Sequence, residues 1–316
     1  MSAIKKVSLI LFLAFSINVS YGQQTPLNPI SYRIFSPFVF NPAITGSKDF
    51  FSVDLIAGAK GKDKSQIISG NTRLSKTSQN YFSSPGATEF TNIGVGGYLF
   101  NDMNGLSRNI GAGASGSYHL QLDKQALSFL SFGATAKAVY NIYSGNPDLS
   151  DSAKNTFFPN LDVGIYYYNP SFYAGLSTTN LLGSPEDLDS LSISTIPVSR
   201  QFFFQVGYRF VISRSLNILL EPSVIVNTDD SFSQKISEMI EPALKLYAGD
   251  FCLGTYFNDF SKMSFFFQYK FPRLYLGTYF ELPNNSPFFK KSLTAELALG
   301  INFSGIKSGF PRFNHW

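Results

Sequence analysis

The chain has 316 residues, of which 44% are hydrophobic, 16% aromatic and only 15% charged. Soluble domains carry roughly 25% charged residues, so this composition indicates a membrane environment. The formal net charge of +4 is too small to predict nucleic acid or another strongly charged partner. No apolar run approaches the ~18 residues that a membrane-spanning helix needs, so helical spans are excluded.

The first 22 residues have the pattern of a secretory signal peptide. Lys5 and Lys6 precede an apolar stretch from Val7 to Val19, and the small residue Gly22 stands before Gln23. That apolar stretch is too short to anchor the chain as a membrane helix. We therefore predict a signal peptide over 1–22 that is cleaved after Gly22.

The segment 293–303 shows the pattern that recurs along the chain. Apolar side chains such as Leu297 and Leu299 occupy its odd positions, and mixed or polar ones occupy its even positions. A tilted strand that crosses a bilayer needs roughly 9–11 residues of such alternation. We predict an all-β transmembrane outer-membrane β-barrel of about 14 antiparallel strands. The predicted strands are 50–60, 64–75, 91–101, 108–122, 126–141, 160–169, 171–181, 199–212, 215–228, 237–248, 250–258, 262–271, 273–282 and 292–303.

The lengths of the predicted connections alternate. From the fourth connection onward every second one is short, and the others are long, at 142–159, 182–198, 229–236 and 283–291. Outer-membrane barrels have short periplasmic turns and longer external loops, which predicts that both termini are periplasmic. The connection 76–90 is an exception, because it is long yet falls at the periplasmic end. The predicted organisation is a signal peptide 1–22, a periplasmic segment 23–49, a barrel 50–303 and a periplasmic tail 304–316.

The alternation also predicts which charged side chains face the lumen. A charge that faces lipid at the bilayer centre costs about 2–4 kcal/mol, so each charged residue on a predicted strand should point inward. By this argument an arginine at Leu297 is harmful, and one at Ala298 does far less. The polar residues Asn217 and Asn227 are also predicted to face inward. The predicted lumen-facing charged residues are Asp54, Lys137, Asp162, Arg209, Glu221, Lys270, Glu281 and Glu296.

The residues that catalysis or metal binding requires are scarce. Only His119 and His315 carry an imidazole, and Cys252 is the single cysteine, which we interpret as a small residue within a strand. No cluster of His and Cys has metal-ligand spacing, and no glycine-rich motif leads into a helix. We predict no enzymatic activity, no cofactor and no metal.

Four motifs occur in order along the chain: Asn41-Pro42-Ala43-Ile44-Thr45-Gly46, Asn101-Asp102 with Gly105, Pro159 to Tyr168, and Phe172 to Leu181. Together they resemble the PorP/SprF family of type IX secretion system outer-membrane proteins of Bacteroidetes. The chain departs from the family pattern because its only Trp is Trp316. The positions that carry the resemblance are Asn41, Pro42, Gly46, Asn101, Asp102, Gly105, Pro159, Asn160, Asp162, Gly164, Gly175 and Asn180.

The resemblance implies a non-enzymatic component of type IX secretion or of the gliding machinery that depends on it. Its expected partners are a secreted adhesin or other cargo with a C-terminal sorting domain, type IX secretion components of the periplasm and outer membrane, and outer-membrane lipid. The acidic residues of two long loops are candidates for partner binding: Asp148, Asp151, Glu186, Asp187 and Asp189. The alternative is a channel for a small solute, which an open lumen or a plug formed by 23–49 would favour.

Overall fold

The computed structural model describes the barrel wall and a short segment before it, but not every residue of the chain. The described residues are 31–48, 50–60, 63–75, 90–123, 125–144, 154–183, 199–230, 234–258, 262–271, 273–283 and 294–303. The predicted signal peptide 1–22, the tail 304–316 and residues 76–89 of the long periplasmic connection lie outside them. The same is true of the acidic loop residues Asp148, Asp151, Glu186, Asp187 and Asp189.

The wall is one antiparallel sheet of 15 strand segments in which chain neighbours pair with each other. The last segment pairs with the first, and the tenth pairs with the eleventh, so the sheet closes into a barrel. The segments are β1 Phe51–Lys60, β2 Asp63–Ser75, β3 Phe90–Asn104, β4 Ser107–Asp123, β5 Ser128–Tyr143, β6 Lys154–Tyr168, β7 Phe172–Thr179, β8 Gln201–Tyr208, β9 Phe210–Ser213, β10 Ile218–Asp229, β11 Ile240–Ala248, β12 Phe251–Asn258, β13 Lys262–Lys270, β14 Leu274–Pro283 and β15 Thr294–Phe303.

The segments β8 and β9 form a single crossing strand. Both pair with β10, and only Arg209 separates them. The backbone amide of Arg209 donates to the carbonyl oxygen of Ser171, with 2.7 Å between nitrogen and oxygen. The barrel therefore has 14 crossing strands, which confirms the predicted fold class and strand number.

The prediction that 142–159 is an external loop is partly wrong. The structure continues β5 to Tyr143 and begins β6 at Lys154, so Pro159 lies within a strand. β6 pairs with β7 only from Val163 onward. At Pro159, β6 therefore pairs with a strand on one side only, namely β5. A proline without an N–H donor is tolerated at such an edge position.

Two smaller departures concern local backbone geometry. Asn217 is not in the lumen, because it lies in the exposed turn before β10 with a φ of 51°. Asparagine tolerates this left-handed conformation, which suits the turn. Before β11, the residues Ile236–Met239 form one helical turn where a strand was predicted.

The outer wall is apolar. Leu99, Leu176 and Leu297 are each more than half exposed, as lipid-facing side chains must be in the absence of lipid. Aromatic side chains cluster at the end of the barrel that carries the short connections, which we call the turn end. Pairs there include Phe51 with Phe303 and Tyr208 with Phe210, which resemble the aromatic girdles of outer-membrane barrels. The opposite end is the loop end.

Residues 31–48 lie inside the barrel, and we call this segment the plug. It contains a helical turn Tyr32–Phe35 and two 3₁₀ turns, Pro37–Val39 and Pro42–Ile44. The sequence predicts a periplasmic segment over 23–49, of which the structure describes 31–48. The plug differs from that expectation because its apolar side chains find a matching surface within the lumen. None of the helices described has the length and apolar character needed to cross a membrane.

Candidate functional site

The plug and the inner wall share one apolar core. Phe35, Phe38 and Phe40 of the plug are almost fully buried against the wall. Phe40 lies 5.3 Å from Phe203, measured between ring centroids, and Phe35 stacks 6.0 Å from Tyr275. The wall residues of this core come from most of the barrel strands: Ile56, Ile67, Tyr98, Phe100, Val139, Phe158, Tyr166, Tyr173, Phe203, Tyr275 and Ala298. At this level the plug fills the lumen.

Carboxylates of the wall hold the plug at several points. The Ser36 hydroxyl donates to Asp54 at 2.9 Å, and the Tyr275 hydroxyl donates to the same carboxylate at 2.6 Å. Nearer the loop end, the backbone amide and hydroxyl of Ser31 both donate to Glu296. These bonds link the plug to two buried carboxylates of the wall.

Arg33 makes the one ion pair between plug and wall that the described residues contain. Its guanidinium contacts both carboxylate oxygens of Glu241, to which the Tyr256 hydroxyl also donates. Burial opposes the charge on Arg33, but the adjacent Glu241 carboxylate raises its pKa well above the usual value. Arg33 is therefore charged at any physiological pH and fixes the start of the plug.

Wall hydroxyls and one imidazole bind the plug backbone. Ser177 donates to the Phe40 carbonyl at 2.8 Å, and Ser131 donates to the Ala43 carbonyl at 2.6 Å. His119 Nε2 donates to the Thr45 carbonyl at 2.8 Å. His119 Nδ1 then accepts from the hydroxyl of Tyr168 at 3.0 Å. Both ring nitrogens are used in this way, so His119 helps to position the plug.

Three of the sequence motifs meet at Asn41. Its side chain caps the second 3₁₀ turn by accepting from the Ala43 amide, and it lies directly against Gly164 and Gly175. A Cβ atom at either glycine would collide with the Asn41 amide group. The motif residues of the plug, β6 and β7 thus form one docking surface, which the sequence motifs did not reveal.

Other motif residues order the loop end of the wall. Asp162 accepts from the Asn180 amide at 2.8 Å, and Asn160 Nδ2 donates to the Gly183 carbonyl at 3.1 Å. The buried carboxylate of Asp102 accepts from Ser65, and Gly105 supplies the turn between β3 and β4 with a φ of 58°. These contacts are structural, and they fix where the chain leaves the barrel.

The predicted lumen-facing charges are placed inside the barrel. Lys137 pairs with Asp162 at 2.7 Å. Glu221 is contacted by Arg209 at 2.9 Å and by Lys245 at 3.1 Å, and also by the Tyr173 hydroxyl at 3.0 Å. Asp54, Glu281 and Glu296 are buried on the inner wall, and Lys270 lines the cavity described next.

A cavity of about 600 Å³ lies between the plug and side chains of β2, β5–β8 and β10–β15. It extends from Arg33 and Phe35 to the short turns at Leu127 and Pro170. Basic and aromatic side chains dominate its lining. The sequence could not reveal this cavity, because the position of the cavity depends on which side of the lumen the plug occupies.

Among the described residues, no three His, Cys, Asp or Glu side chains are grouped closely enough to hold an ion. Cys252 is buried in β12 as a free thiol. The residues that the sequence assigned to partner binding belong to the loop-end connections outside the described part of the chain, so their placement stays a prediction.

The sequence profile described as "Type IX secretion system membrane protein PorP/SprF" matches residues 23–301. The chain belongs to the PorP/SprF family. The predicted family, the barrel fold and the outer-membrane location are thereby confirmed, and membership supports a role in type IX secretion. No curated protein matches the sequence.

Solved outer-membrane barrels resemble this PorP/SprF protein in structure. The outer-membrane protein Omp33 of Acinetobacter baumannii is 14% identical, with a TM-score of 0.43 over 82% of this chain and 100% of that chain. The monoaromatic hydrocarbon channel CymD is 11% identical, with a TM-score of 0.43 over 88% of this chain and 94% of that chain. The KdgM porin is 7% identical, with a TM-score of 0.39 over 80% of this chain and 99% of that chain.

Proposed function

We propose that this protein is a non-enzymatic part of the type IX secretion or gliding machinery. It binds a secreted protein that carries a C-terminal sorting domain and helps to export it or to hold it at the cell surface. The observation that carries the proposal is the family match over residues 23–301. The mechanism is inferred from the plug. Its aromatic side chains pack against wall residues of β1–β3, β5–β8, β14 and β15 and, among the described residues, occlude the lumen at the level of Phe35 and Phe40.

A filled barrel can recognise a partner only with its exposed surfaces. The outer wall is lipid-facing and apolar, so the loop end and the turn end are the surfaces that remain. We assign the cargo to the loop end, where the long connections lie. Loops on a rigid barrel are free to vary and to carry recognition, because the strand ladder supplies the stability.

The acidic residues Asp148, Asp151, Glu186, Asp187 and Asp189 are our candidates for this contact. Five carboxylates in two neighbouring loops would attract a basic surface or a divalent cation on the cargo. Partners in the periplasm, which the sequence resemblance implies, would bind at the turn end instead.

The test is a pair of loop variants in the native organism. In the first, short Gly-Ser linkers replace residues 145–153 and 184–198. In the second, the five acidic residues become Asn or Gln. We expect both barrels to migrate as folded, heat-modifiable species on gels, while cell-surface proteomics shows loss of at least one secreted protein.

The matched control for charge is the pair Asp123→Asn and Asp250→Asn, which removes exposed carboxylates at the turn end. It should leave the surface proteome unchanged. If the loop variants fold and every surface protein stays at its wild-type level, cargo binding at the loop end is rejected.

The alternative function, a channel for a small solute, is favoured by the plug and the adjacent cavity. A channel of this kind would require the plug to move, since it fills the lumen at the level of Phe35 and Phe40. Liposome swelling with sugars of increasing size distinguishes the two functions. Swelling at rates typical of open porins would support the channel, and impermeable liposomes would support the binding function.

A further inference from the structure

One strand of the wall, β6, has an edge that is only partly paired. β6 has 15 residues, whereas its neighbour β7 has eight. The two strands pair only from Val163 to Tyr168, while β6 pairs with β5 along its whole length. At the loop end of β6, residues 154–159 therefore have a strand neighbour on the β5 side alone within the described structure.

Polar side chains of β6 define where this unpaired edge begins. The backbone amide of Asn180, which has a φ of 57°, donates to the Asp162 side chain at 2.8 Å. The amide of Leu182 donates to the side-chain oxygen of Asn160 at 3.1 Å. These bonds end β7 and occupy the edge of β6 as far as Asn160. The unpaired part of the edge starts at Pro159.

The backbone groups of this edge point away from β5 at alternate residues. In an antiparallel ladder the N–H and C=O groups of one residue point to the same side, and the side alternates along the strand. Odd-numbered residues of β6 point toward β7, because the Asn169 amide and the Leu161 carbonyl bond to β7 and to the chain directly after it, at 2.9 and 2.8 Å. Asn155 and Phe157 therefore direct their N–H and C=O groups to the side that has no strand, and Pro159 directs its carbonyl there.

The edge is held in place from its other sides. The side chain of Phe158 points inward, is 5% exposed and belongs to the core that the wall shares with the plug. Phe157 points outward, is 62% exposed and lies opposite Tyr140 of β5. An added strand would find preformed backbone partners and two outward rings beside them. A preformed site of this kind loses little conformational freedom on binding.

The edge lies in water on the external side of the membrane. An unpaired strand edge is unstable in hydrocarbon, where no water replaces the missing backbone partners. β6 begins at the loop end, so Asn155 and Phe157 extend beyond the hydrocarbon layer on that side. In water, a free edge is a template on which another chain can form a strand.

We propose that the edge of β6 at 155–159 binds an extended segment of the secreted partner, which adds a strand to the barrel wall. In strand addition, main-chain hydrogen bonds supply the affinity and alternate side chains supply the specificity. The side chain that lies opposite Phe157 should be aromatic or β-branched, because it packs on the outward rings of Phe157 and Tyr140. The proposal rests on the proposed function for the identity of the partner.

The first experiment measures amide hydrogen exchange by NMR on the chain from Gln23 onward, refolded in neutral detergent micelles. We expect the amides of Asn155 and Phe157 to exchange roughly 100-fold faster than those of Thr156 and Phe158, which face β5. Equal protection of the two sets would mean that another part of the chain already covers the edge. That result would overturn the proposal.

The second experiment adds a probe peptide to the same sample. The probe is acetyl-Thr-Val-Thr-Phe-Thr-amide, and its control is the same peptide with every backbone amide N-methylated. At millimolar concentration the probe should slow the exchange of the Asn155 and Phe157 amides about ten-fold. The methylated peptide should have no effect, because it cannot donate ladder hydrogen bonds. No change with the probe, or the same change with both peptides, would overturn the proposal.

The third experiment removes one edge N–H in the native organism. Phe157→Pro should lower the surface level of the secreted protein that the loop variants lose by about ten-fold, in a barrel that still migrates as a folded species. The matched control is Ser215→Pro, in the exposed turn before β10 at the turn end. Turn geometry accepts proline there, since the Asn217 amide donates to the Arg214 carbonyl. The control should leave that surface level unchanged.

Strand addition and the proposed function fail separately. If the loop variants lose a secreted protein and a folded Phe157→Pro barrel keeps it at the wild-type level, strand addition is overturned and cargo binding at the loop end stands. If the loop variants lose no protein, the proposed function fails, while slowed exchange with the probe still supports the edge as a site for an extended peptide. If the Phe157→Pro barrel does not fold, the two exchange experiments decide.

Discussion

Among the described residues, buried carboxylates outnumber cations in the loop half of the lumen, whereas cations outnumber carboxylates in the turn half. Carboxylates are buried in the loop half, where two of them bind the plug through Ser31 and Arg33. In the turn half the cavity is lined by cations, and a single carboxylate, Glu221, serves two of them. The buried loop-half carboxylates are Asp102, Asp229, Glu241, Glu281 and Glu296, and the turn-half cations are Lys48, Arg73, Arg209, Lys245 and Lys270.

This difference shows that polar residues inside a barrel need not indicate a water channel. In the loop half, hydrogen bonds to the plug satisfy much of the inward-facing charge, so the polar side chains act as structural anchors. In the turn half, the plug leaves a cavity that is lined by basic and aromatic side chains.

The largest expected difference in the free energy of unfolding is between the same substitution, Glu to Gln, made once in each half. Glu221→Gln leaves Arg209 and Lys245 without their carboxylate and should reduce the free energy of unfolding by about 3–5 kcal/mol. Glu281→Gln should change it by less than about 1 kcal/mol, since Oε2 of Glu281 has no partner among the described residues. Urea unfolding in lipid vesicles, followed by tyrosine fluorescence and gel migration, measures both.

The two substitutions are matched in chemistry and in burial, since both carboxylates are at most 5% exposed. Similar losses at the two positions would show that the halves do not differ in how they use charge. A larger loss at Glu281 would reverse the comparison.

An intermediate effect is expected where the plug meets the wall. A Cβ atom at Gly133 would overlap the backbone of Pro42 and Ala43, so Gly133→Val should displace the plug. Overpacking of this kind costs about 1–3 kcal/mol. Gly116→Val is the control, because no atom lies within 4 Å of a Cβ at Gly116. Unfolding measurements should show the cost at Gly133 alone.

Single-channel conductance of the Gly133→Val variant tests whether the plug closes the lumen. We expect Gly133→Val to open the barrel to ions, while the wild type and Gly116→Val remain closed. A Gly133→Val barrel that is folded and still closed would mean that something other than the plug segment seals the lumen.

The sequence was sufficient to predict the wall, because each side chain on a strand faces either lipid or lumen. The alternation at Leu297 and Leu299 identified outward positions correctly, and both are exposed. The alternation could not show what fills the lumen. Ala298 was expected to tolerate arginine, yet it is 1% exposed within the core that the plug completes. An arginine there would have no space.

The plug escaped prediction for a related reason. Residues 31–48 have neither a helical nor a strand period, and their apolar side chains are compatible with any buried site. The motif glycines Gly164 and Gly175 carried the relevant signal, since glycine within a strand often marks close approach of another segment. Their partner Asn41 lies over 100 positions earlier in the sequence, so one sequence does not reveal the pairing.

The smallest expected effect compares two tyrosines that donate to the buried carboxylates of the two halves. Tyr256→Phe removes a donor from Glu241, which then keeps only Arg33, and should cost about 1.5 kcal/mol. Tyr173→Phe removes a donor from Glu221, which retains Arg209 and Lys245, and should cost about 0.5 kcal/mol.

The reason for this order is the number of donors that remain. A carboxylate with two cations loses little when a neutral hydroxyl is removed, whereas one with a single cation is left with unsatisfied lone pairs. Tyr140→Phe on the exposed outer wall is the control and should have no measurable effect on the free energy of unfolding. Since Glu241 also holds Arg33, Tyr256→Phe should raise the frequency of brief channel openings in conductance records, and Tyr173→Phe should not. The opposite order in stability, or openings in the Tyr173 variant alone, would mean that the plug is held from the turn half.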